Sequence, residues 1–344
     1  MKRITYMAVV LFIITFVFVV GMPKPALTAG PSIIRIGTHP VGAFFNVVGS
    51  AVGKVVGAHT PMKTKVVPLS GPAAWMPMMV TGEMDLGVCN ATDSNWGYLG
   101  KERYGKISKG KGFPVRLVLT GVYNDVSIVT SKDTGIKTLK DLRGKKVAAG
   151  FSGVPACQYQ FLAALANAGL SADDVKVVPV AAPPPAMKAV IEGRADATGT
   201  ATTGMPQVRE LAAKRGALFL GFDPSPEAKE RALKVYSHGW FNLVKGGIFP
   251  GVEVDTWLLR YEIYVLSRAD LPDDAAYTII KAMWDYNSDL GPIHPKFKEW
   301  ERENYASKLL LVPYHPGAMK FLKEKKLWTD ELQKSQTELL GLKK

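Results

Sequence analysis

The amino-acid sequence predicts an α/β protein of two similar lobes, each a doubly wound sheet flanked by helices, with a cleft between them. Three observations support this fold class. Short β-branched runs alternate with helical apolar patterns along the chain. A helix, a glycine and a buried strand follow one another twice, at 80–88 and at 191–199. The chain has 344 residues, of which 47% are hydrophobic, so it is long and apolar enough for two cores.

The first 29 residues have the pattern of a secretory signal peptide. Lys2 and Arg3 precede an apolar run at 4–20, and small residues follow up to Ala29, after which we expect cleavage. The apolar run is longer than is usual in a signal peptide, so an uncleaved membrane anchor is the alternative. No cysteine stands near the cleavage site for lipid attachment. We therefore expect a mature protein that is secreted into a periplasm.

The charge is strongly basic, at +13, and loss of three cations with the signal peptide leaves +10. Export and the lack of any recognition motif argue against nucleic acid as a partner. We interpret the basic residues as solvated faces, with a bias toward anionic solutes as the second interpretation. Cys89 and Cys157 are too few for a disulfide framework and are interpreted as buried thiols. A disulfide between them, which would lock the cleft, is the alternative.

The first lobe begins with a strand at 32–37 and a helix at 43–56, the opening of an α/β unit. A strand at 65–68 and a helix at 72–80 follow. Gly82 then provides the left-handed C-cap from which the chain enters the next strand. Small polar residues, beginning with Asn90, come directly after that strand, where open α/β sheets bind ligands.

The passage to the second lobe is expected at 117–130, where two strand-like runs are separated by Asn124 and Asp125. The second lobe then holds strands at 146–149 and 175–180, helices at 155–168 and 185–192, and the repeated strand after Gly193. The chain returns near 245–250 or at 261–267, and helices follow at 273–286 and from Pro316 onward. We assign 30–122 with 245–344 to lobe I and 123–244 to lobe II. Two crossings between lobes form a hinge.

Motifs for catalysis are incomplete. The turn from Gly37 to Gly42 has the spacing of a nucleotide-binding loop but lacks its lysine, and the motif at 150–154 lacks the last glycine of a nucleophile elbow. The five histidines show no metal-ligand spacing. We expect no enzyme activity, no catalytic residue, no metal and no cofactor. Asp85 and Asp196 are interpreted as backbone hydrogen-bonding residues, and His315 as a turn residue.

Binding chemistry is better represented. Residues 150–155 follow a strand and open a helix, where free N–H groups and the helix dipole attract an anion, and Ser152 adds a hydroxyl. The turn at 38–42 offers the same groups in the other lobe. No arginine stands in a cleft loop, so we expect backbone N–H groups to hold an anionic solute.

Four stretches, 36–45, 82–87, 135–147 and 268–273, together with the His-Pro-Gly-Ala at 315–318, resemble the TAXI-type solute-binding proteins of TRAP transporters. The resemblance covers essentially the whole mature sequence. It implies a type II periplasmic-binding-protein fold with the ligand cleft at the hinge, and an amino acid or organic acid as ligand. It also implies a TRAP permease, with separate or fused membrane subunits, as partner. We expect a monomer.

The departures from the family concern the cleft. Phe44 and Phe45 replace two tyrosines, and Ser70, Gly71 and Trp75 occur where the family has Gly-Gly-Ser followed by polar residues. A more apolar site predicts a solute with an aromatic or aliphatic body beside its carboxylate. The alternative is that Trp75 and Met76 only fill the core of the first lobe.

Closure of the lobes around the solute is the expected mechanism. The residues predicted to bind the solute are Thr38, His39, Phe44, Ser70, Trp75, Asn90, Tyr123, Ser152, Gly153, Thr200, Thr202 and Thr203. Three other functions stay open. They are the receptor of an ATP-driven importer, a ligand-presenting partner of a membrane sensor and, as the last of the three, an enzyme of related architecture.

Overall fold

The computed structural model describes residues 31–342, so the predicted signal peptide lies outside the described residues. They form two sheets with helices around them. Within the described range no helix combines the length and the apolar character needed to cross a bilayer.

The first sheet has eight strands and the second has five. The strands of the first sheet are β1 (Ile33–Thr38), β2 (Lys63–Pro68), β3 (Leu86–Asn90), β4 (Val115–Leu119), β5 (Tyr123–Ser127), β10 (Ala201–Thr202), β12 (Trp240–Val244) and β13 (Thr256–Arg268). Those of the second are β6 (Val129–Ser131), β7 (Lys146–Ala149), β8 (Lys176–Pro179), β9 (Ala197–Thr198) and β11 (Ala217–Phe219).

The helices connect the strands and cover the sheets. They are α1 (Phe44–His59), α2 (Pro72–Val80), α3 (Ala91–Leu99), α4 (Glu102–Ile107), α5 (Pro155–Asn167), α6 (Pro183–Ile191), α7 (Pro206–Arg215), α8 (Pro226–Val235), α9 (Asp273–Asp285), α10 (Pro316–Glu324) and α11 (Asp330–Gly341). Short 3₁₀ turns include Leu139–Leu142 and Pro295–Glu299.

Both sheets contain the same parallel trio. In the first sheet β1 lies between β2 and β3, and in the second β7 lies between β8 and β9. The 13-residue strand β13 runs antiparallel to β3, β4, β5 and β12 and so holds the first sheet together. The second sheet is extended by β6 and β11, both antiparallel to their neighbours.

The sequence repeat corresponds to a structural repeat. Gly82 and Gly193 both have φ of 73°, the left-handed conformation expected where a helix turns into a strand. Asp85 accepts a hydrogen bond from the N–H of Arg35 at 2.9 Å, and Asp196 accepts one from the N–H of Lys146 at 2.7 Å. In each pair the donor and the acceptor are 50 residues apart in the chain. The prediction that these aspartates bind backbone is confirmed.

One element prediction is wrong. Asn124 and Asp125 do not interrupt a strand but lie buried inside β5, and the chain breaks at 120–122 and at 128 instead. Their polar character suggested a turn, but Asp125 is bound by Arg260 and Lys296, and the side-chain amide of Asn124 donates to the hydroxyl of Tyr261 at 3.0 Å. The region from Pro316 is helical as predicted and comprises two helices, α10 and α11, separated at 325–329.

The lobe limits at 122/123 and 244/245 stay a prediction. The strands β5, β10 and β12 come from 123–244 but pair within the first sheet, β5 and β12 with β13 and β10 with β5. The segments that carry the chain between the two sheets are therefore themselves strands of the first sheet.

Helix α1 packs tightly against the first sheet. Its buried residues include Val48, Val52 and Val56, which bury their side chains in the core with the strands β1 and β3. Gly49 lies on the same helix against the side chain of Thr38 at the end of β1. A side chain at this position would meet Thr38 in a site with no space for it.

We expect Gly49→Ala to lower the free energy of unfolding by about 1–3 kcal/mol, because the added methyl group overpacks the contact with Thr38. Urea denaturation measures the change. Gly341→Ala is the matched control, since Gly341 is also helical and has no atom within 4 Å of the position of a Cβ. Equal stability of the two variants would contradict the prediction.

Candidate functional site

The two lobes contact each other along a seam between their loops. Gly71 lies so close to the carbonyl of Gly153 that a Cβ would collide with it, and its φ is 146°. Phe44 lies against Gly204, and Gly42 lies against the side chain of Gln207. The segments that begin α1 and α2 therefore contact the loop before α5, the residue Gly204 after β10 and the first turn of α7.

Unpartnered polar atoms are concentrated among the predicted site residues. Within residues 31–342, eight buried side-chain atoms have no hydrogen-bond partner. They are His39 Nδ1 and Nε2, Trp75 Nε1, Asn124 Oδ1, Thr202 Oγ1, Thr203 Oγ1, Gln207 Oε1 and Ser267 Oγ. Five of the eight belong to His39, Trp75, Thr202 and Thr203, which the sequence assigned to solute binding. Buried polar atoms are normally paired, so these atoms are candidates for hydrogen bonds to a polar ligand.

His39 is a neutral donor and acceptor. It follows β1, is 1% exposed, and stacks on Phe45 with 4.2 Å between ring centroids. Burial lowers the pKa of His39 to about 3, and the nearby carbonyl of Val88 opposes this shift without forming a well-directed hydrogen bond. At neutral pH one ring nitrogen carries a proton and the other carries a lone pair.

Trp75 combines features of both interpretations made from the sequence. Its ring covers Gly37 and Gly87, two glycines paired between β1 and β3, and no Cβ would fit beneath it. This contact is that of a core side chain. Its Nε1–H group, however, is buried without a partner, which is a property of a ligand-facing donor.

Thr38 and Asn90 are already hydrogen-bonded within the first lobe. The Thr38 hydroxyl donates to the carbonyl of His39 and accepts from Asn46, both at 3.0 Å. Asn90 caps α3, since its Oδ1 accepts from the N–H of Asp93 at 2.6 Å and its amide donates to the Asp93 carboxylate at 2.7 Å. Both residues therefore position the loop ends around the seam.

Thr200 belongs to a buried chain of hydrogen bonds that links both lobes. Its hydroxyl donates to Gln160 on α5 at 3.2 Å, and Gln160 donates to Tyr236 at 3.4 Å. The Tyr236 hydroxyl in turn accepts from Thr92 on α3 at 2.8 Å. Thr202 and Thr203 lie at and directly after the end of β10, next to Gly204 and hence to Phe44.

The predicted anion-binding turn at 150–155 is used differently from the expectation. Ser70 and Ser152 have exposed side chains, and the N–H of Gly153 donates to the carbonyl of Ala181 at 2.9 Å. The N–H of Ala156, at the start of α5, donates to the carboxylate of Asp93 at 3.1 Å. A side chain of the first lobe thus already binds the N-terminus of α5.

Tyr123 lines a pocket that includes none of the seam residues named above. Its hydroxyl donates to Asn304 at 3.2 Å, and its ring has the guanidinium of Arg260 at 5.4 Å. These residues line a pocket of about 430 Å³ together with Asn242. The structure does not bring Tyr123 into contact with the seam residues named above.

A buried ion cluster stands beside this pocket. Asp125 accepts from Arg260 at 2.6 Å and from Lys296 at 2.6 Å, and the side chains of Asp125 and Lys296 are both fully buried. Burial by itself raises the pKa of Asp125, but hydrogen bonds and charge from Arg260 and Lys296 outweigh it and hold the pKa below its ordinary value. This cluster fixes the strand that leads from the first sheet to the second.

Several seam residues could not be recognised in the sequence. Gln160, Tyr236 and Gln207 lie far apart in the chain and carry no local motif, and Asp93 is one of the small polar residues that follow Asn90. His315 does behave as the expected turn residue, since its Nδ1 accepts from the N–H of Gly317 at 3.2 Å. Cys89 and Cys157 are buried and free. Among the described residues no group of His, Cys, Asp or Glu could hold a metal ion.

We expect Lys296→Met to lower the free energy of unfolding by about 3 kcal/mol, because it removes one partner of a buried ion pair. Lys281→Met is the control, since Lys281 pairs with Asp285 at a half-exposed helix surface and should change the stability by less than about 0.5 kcal/mol. Urea denaturation of both variants compares them. A loss for Lys296→Met as small as that of the control would contradict the prediction.

Comparison with known proteins supports the fold. The sequence model of the NMT1-like family matches residues 36–325. A solved structure described as a periplasmic transporter is 12% identical to this chain. The match covers 89% of this chain and 95% of the chain in that structure, with a TM-score of 0.55. PhnD1 from Prochlorococcus marinus, in complex with methylphosphonate, is 12% identical over 87% of this chain and 100% of its own, with a TM-score of 0.50.

The periplasmic aliphatic sulphonate binding protein SsuA from Escherichia coli is 17% identical over 86% of this chain and 88% of its own, with a TM-score of 0.45. At such identities a structural likeness shows the fold alone. The predicted α/β fold of a two-lobed periplasmic binding protein is confirmed.

Proposed function

Because this chain belongs to the NMT1-like family and has the fold of a periplasmic binding protein, we propose that it captures a small organic anion between its lobes. The observation that carries the proposal is the group of unpartnered polar atoms of His39, Trp75, Thr202 and Thr203, all on buried side chains. A solute held there would accept from the indole N–H and the hydroxyls and would exchange hydrogen bonds with His39. No catalytic step is needed for this function.

The chemistry of these groups favours an anion of low charge. All four side chains are neutral donors or acceptors, and the buried Lys296 is already bound by Asp125 and Glu299. Neutral donors can hold a single carboxylate, whereas a second buried negative charge would lack a counter-charge. The rings of Phe44 and Phe45 offer apolar contacts at the same seam. We therefore propose a monocarboxylate or an amino acid with an aliphatic or aromatic body.

The partner is proposed to be a TRAP permease. The stretches at 36–45, 82–87, 135–147 and 268–273 support the TAXI type, and the signal-like residues 1–29 support export to the periplasm. The receptor of an ATP-driven importer is the alternative, and a sensor partner is a further one. Neighbouring genes discriminate among them, because a TRAP permease, an ATPase or a receptor kinase would be encoded beside the binding protein.

A thermal-shift screen of the mature protein against monocarboxylates, dicarboxylates and amino acids tests the function. A solute present at a hundred times its dissociation constant adds roughly 2.7 kcal/mol to the stability and raises the melting temperature. We expect branched or aromatic monocarboxylates to give the largest shift, without being consumed. Preference for small dicarboxylates would contradict the proposed solute class, and turnover of the solute would contradict the proposal of a binding protein.

Valine substitutions separate solute contacts from structural ones. We expect Thr202→Val and Thr203→Val to weaken solute binding about tenfold and to leave the stability equal or higher, because each hydroxyl is buried without a partner. Thr120→Val is the control, since the Thr120 hydroxyl is buried and donates to Ile263 at 2.8 Å. It should lose stability and keep the affinity. Calorimetric titration and urea denaturation give the two quantities, and the opposite pattern would remove these threonines from the site.

A further inference from the structure

A pocket of about 350 Å³ lies beside the predicted site residues, and we call it the mouth pocket. It begins at the two residues that follow His39 in the chain and is completed by the segment after β8 and by the starts of α6 and α7. Gln207 connects it to the seam, because its side chain lies against Gly42. The uncharged residues that line the mouth pocket are Pro40, Val41, Val180, Pro184, Pro185 and Gln207.

At this pocket the chain passes from a buried polar side chain to an exposed apolar one. His39 is 1% exposed and its two ring nitrogens have no partner, whereas Val41 is 73% exposed. Trp75, Thr202 and Thr203 also carry their unpartnered polar atoms on buried side chains. The groups that can donate to a carboxylate are therefore buried, and the apolar side chain of Val41 stands at the surface.

Helix α6 begins with three prolines, Pro183, Pro184 and Pro185. The first turn of a helix ordinarily presents free N–H groups that bind an anion. Proline has no N–H group, and the N–H of the next residue, Ala186, donates to the carbonyl of Ala182 at 3.3 Å. The start of α6 therefore offers the mouth pocket the rings of two prolines and no free backbone donor from residues 183–186.

The other polar groups of the mouth pocket do not form an anion site. Gln207 is neutral, and its buried Oε1 atom, unpartnered within residues 31–342, repels a carboxylate oxygen because both are acceptors. Lys188 and Arg194 line the pocket as well, but their side chains are 68% and 56% exposed and both pair with Glu192. Charges that are solvated and already paired bind a further anion weakly.

We propose that the solute binds with its carboxylate toward His39 and Thr202 and with its apolar body in the mouth pocket, against Val41 and the proline rings of α6. This inference rests on the proposed function and assigns the orientation and the class of its solute. The body is a chain or ring that reaches the mouth pocket from the carboxylate and carries no charge at its far end. Removal of water from Val41 and the two prolines contributes to the affinity.

Calorimetric titration of the mature protein with a series of ω-phenyl monocarboxylates tests this orientation. Phenylacetate, phenylpropanoate and phenylpentanoate share the carboxylate and differ in how far the ring reaches from it. We expect the affinity to rise about two- to fourfold for each added methylene group, because each one buries more apolar surface in the mouth pocket. Octanedioate, which has a similar length to phenylpentanoate, should bind about tenfold more weakly than it, because its far carboxylate would lie among proline rings.

Val41→Ser removes an apolar wall of the mouth pocket at a position where the side chain is mostly exposed. We expect it to weaken the binding of phenylpentanoate about fivefold and that of phenylacetate less than about twofold. Val254→Ser is the matched control, since Val254 is 71% exposed and lies outside the mouth pocket. The control should leave both affinities unchanged, and equal losses of the two solutes for Val41→Ser overturn the proposal.

Joint replacement of Pro184→Ala and Pro185→Ala gives a test in the opposite direction. It restores two N–H groups at the start of α6 with a residue that favours a helix. The preference for phenylpentanoate over octanedioate should fall about threefold or more, and an unchanged or larger preference overturns the proposal.

The titration series separates this inference from the proposed function. If phenylacetate binds but the affinity does not rise along the series, the orientation fails while the proposed function stands. If no monocarboxylate binds, the proposed function fails and the inference fails with it.

Discussion

Buried polar atoms need hydrogen-bond partners, and the free energy lost when a partner is missing shapes the whole of this molecule. Inside each lobe an aspartate finds its hydrogen-bond partner in the same way. Asp85 and Asp196 each accept from the first strand of their own parallel trio, over the same separation of 50 residues. The two parallel trios therefore share one hydrogen-bonded arrangement.

At the seam the same requirement divides the polar side chains into two groups. One group is satisfied by the other lobe, as for Asp93 with Ala156 and Thr92 with Tyr236. The other group, represented by His39 and Thr203, is buried without partners. The first group provides contacts that hold the closed form together. In the function proposed above, the second group would bind the solute, and contacts made in the closed form would favour closure.

The crossing between the sheets is held by charge. Asp125 lies on β5, the strand that precedes the first crossing, and is bound by Arg260 from β13 and by Lys296 from a distant 3₁₀ turn. Because both partners are buried or half-buried, the cluster resists rearrangement more strongly than a surface ion pair would.

The sequence by itself determined the α/β class, the two-fold repeat and the residues at the strand ends, because periodicity and glycine positions act over a few residues. It also directed attention to His39, Trp75, Thr202 and Thr203. Only the tertiary structure decided that Asn124 and Asp125 lie inside a strand and that Asp93 binds the start of α5. Those outcomes depend on partners from distant segments, such as Lys296 and Ala156, and no local pattern encodes which distant group will arrive.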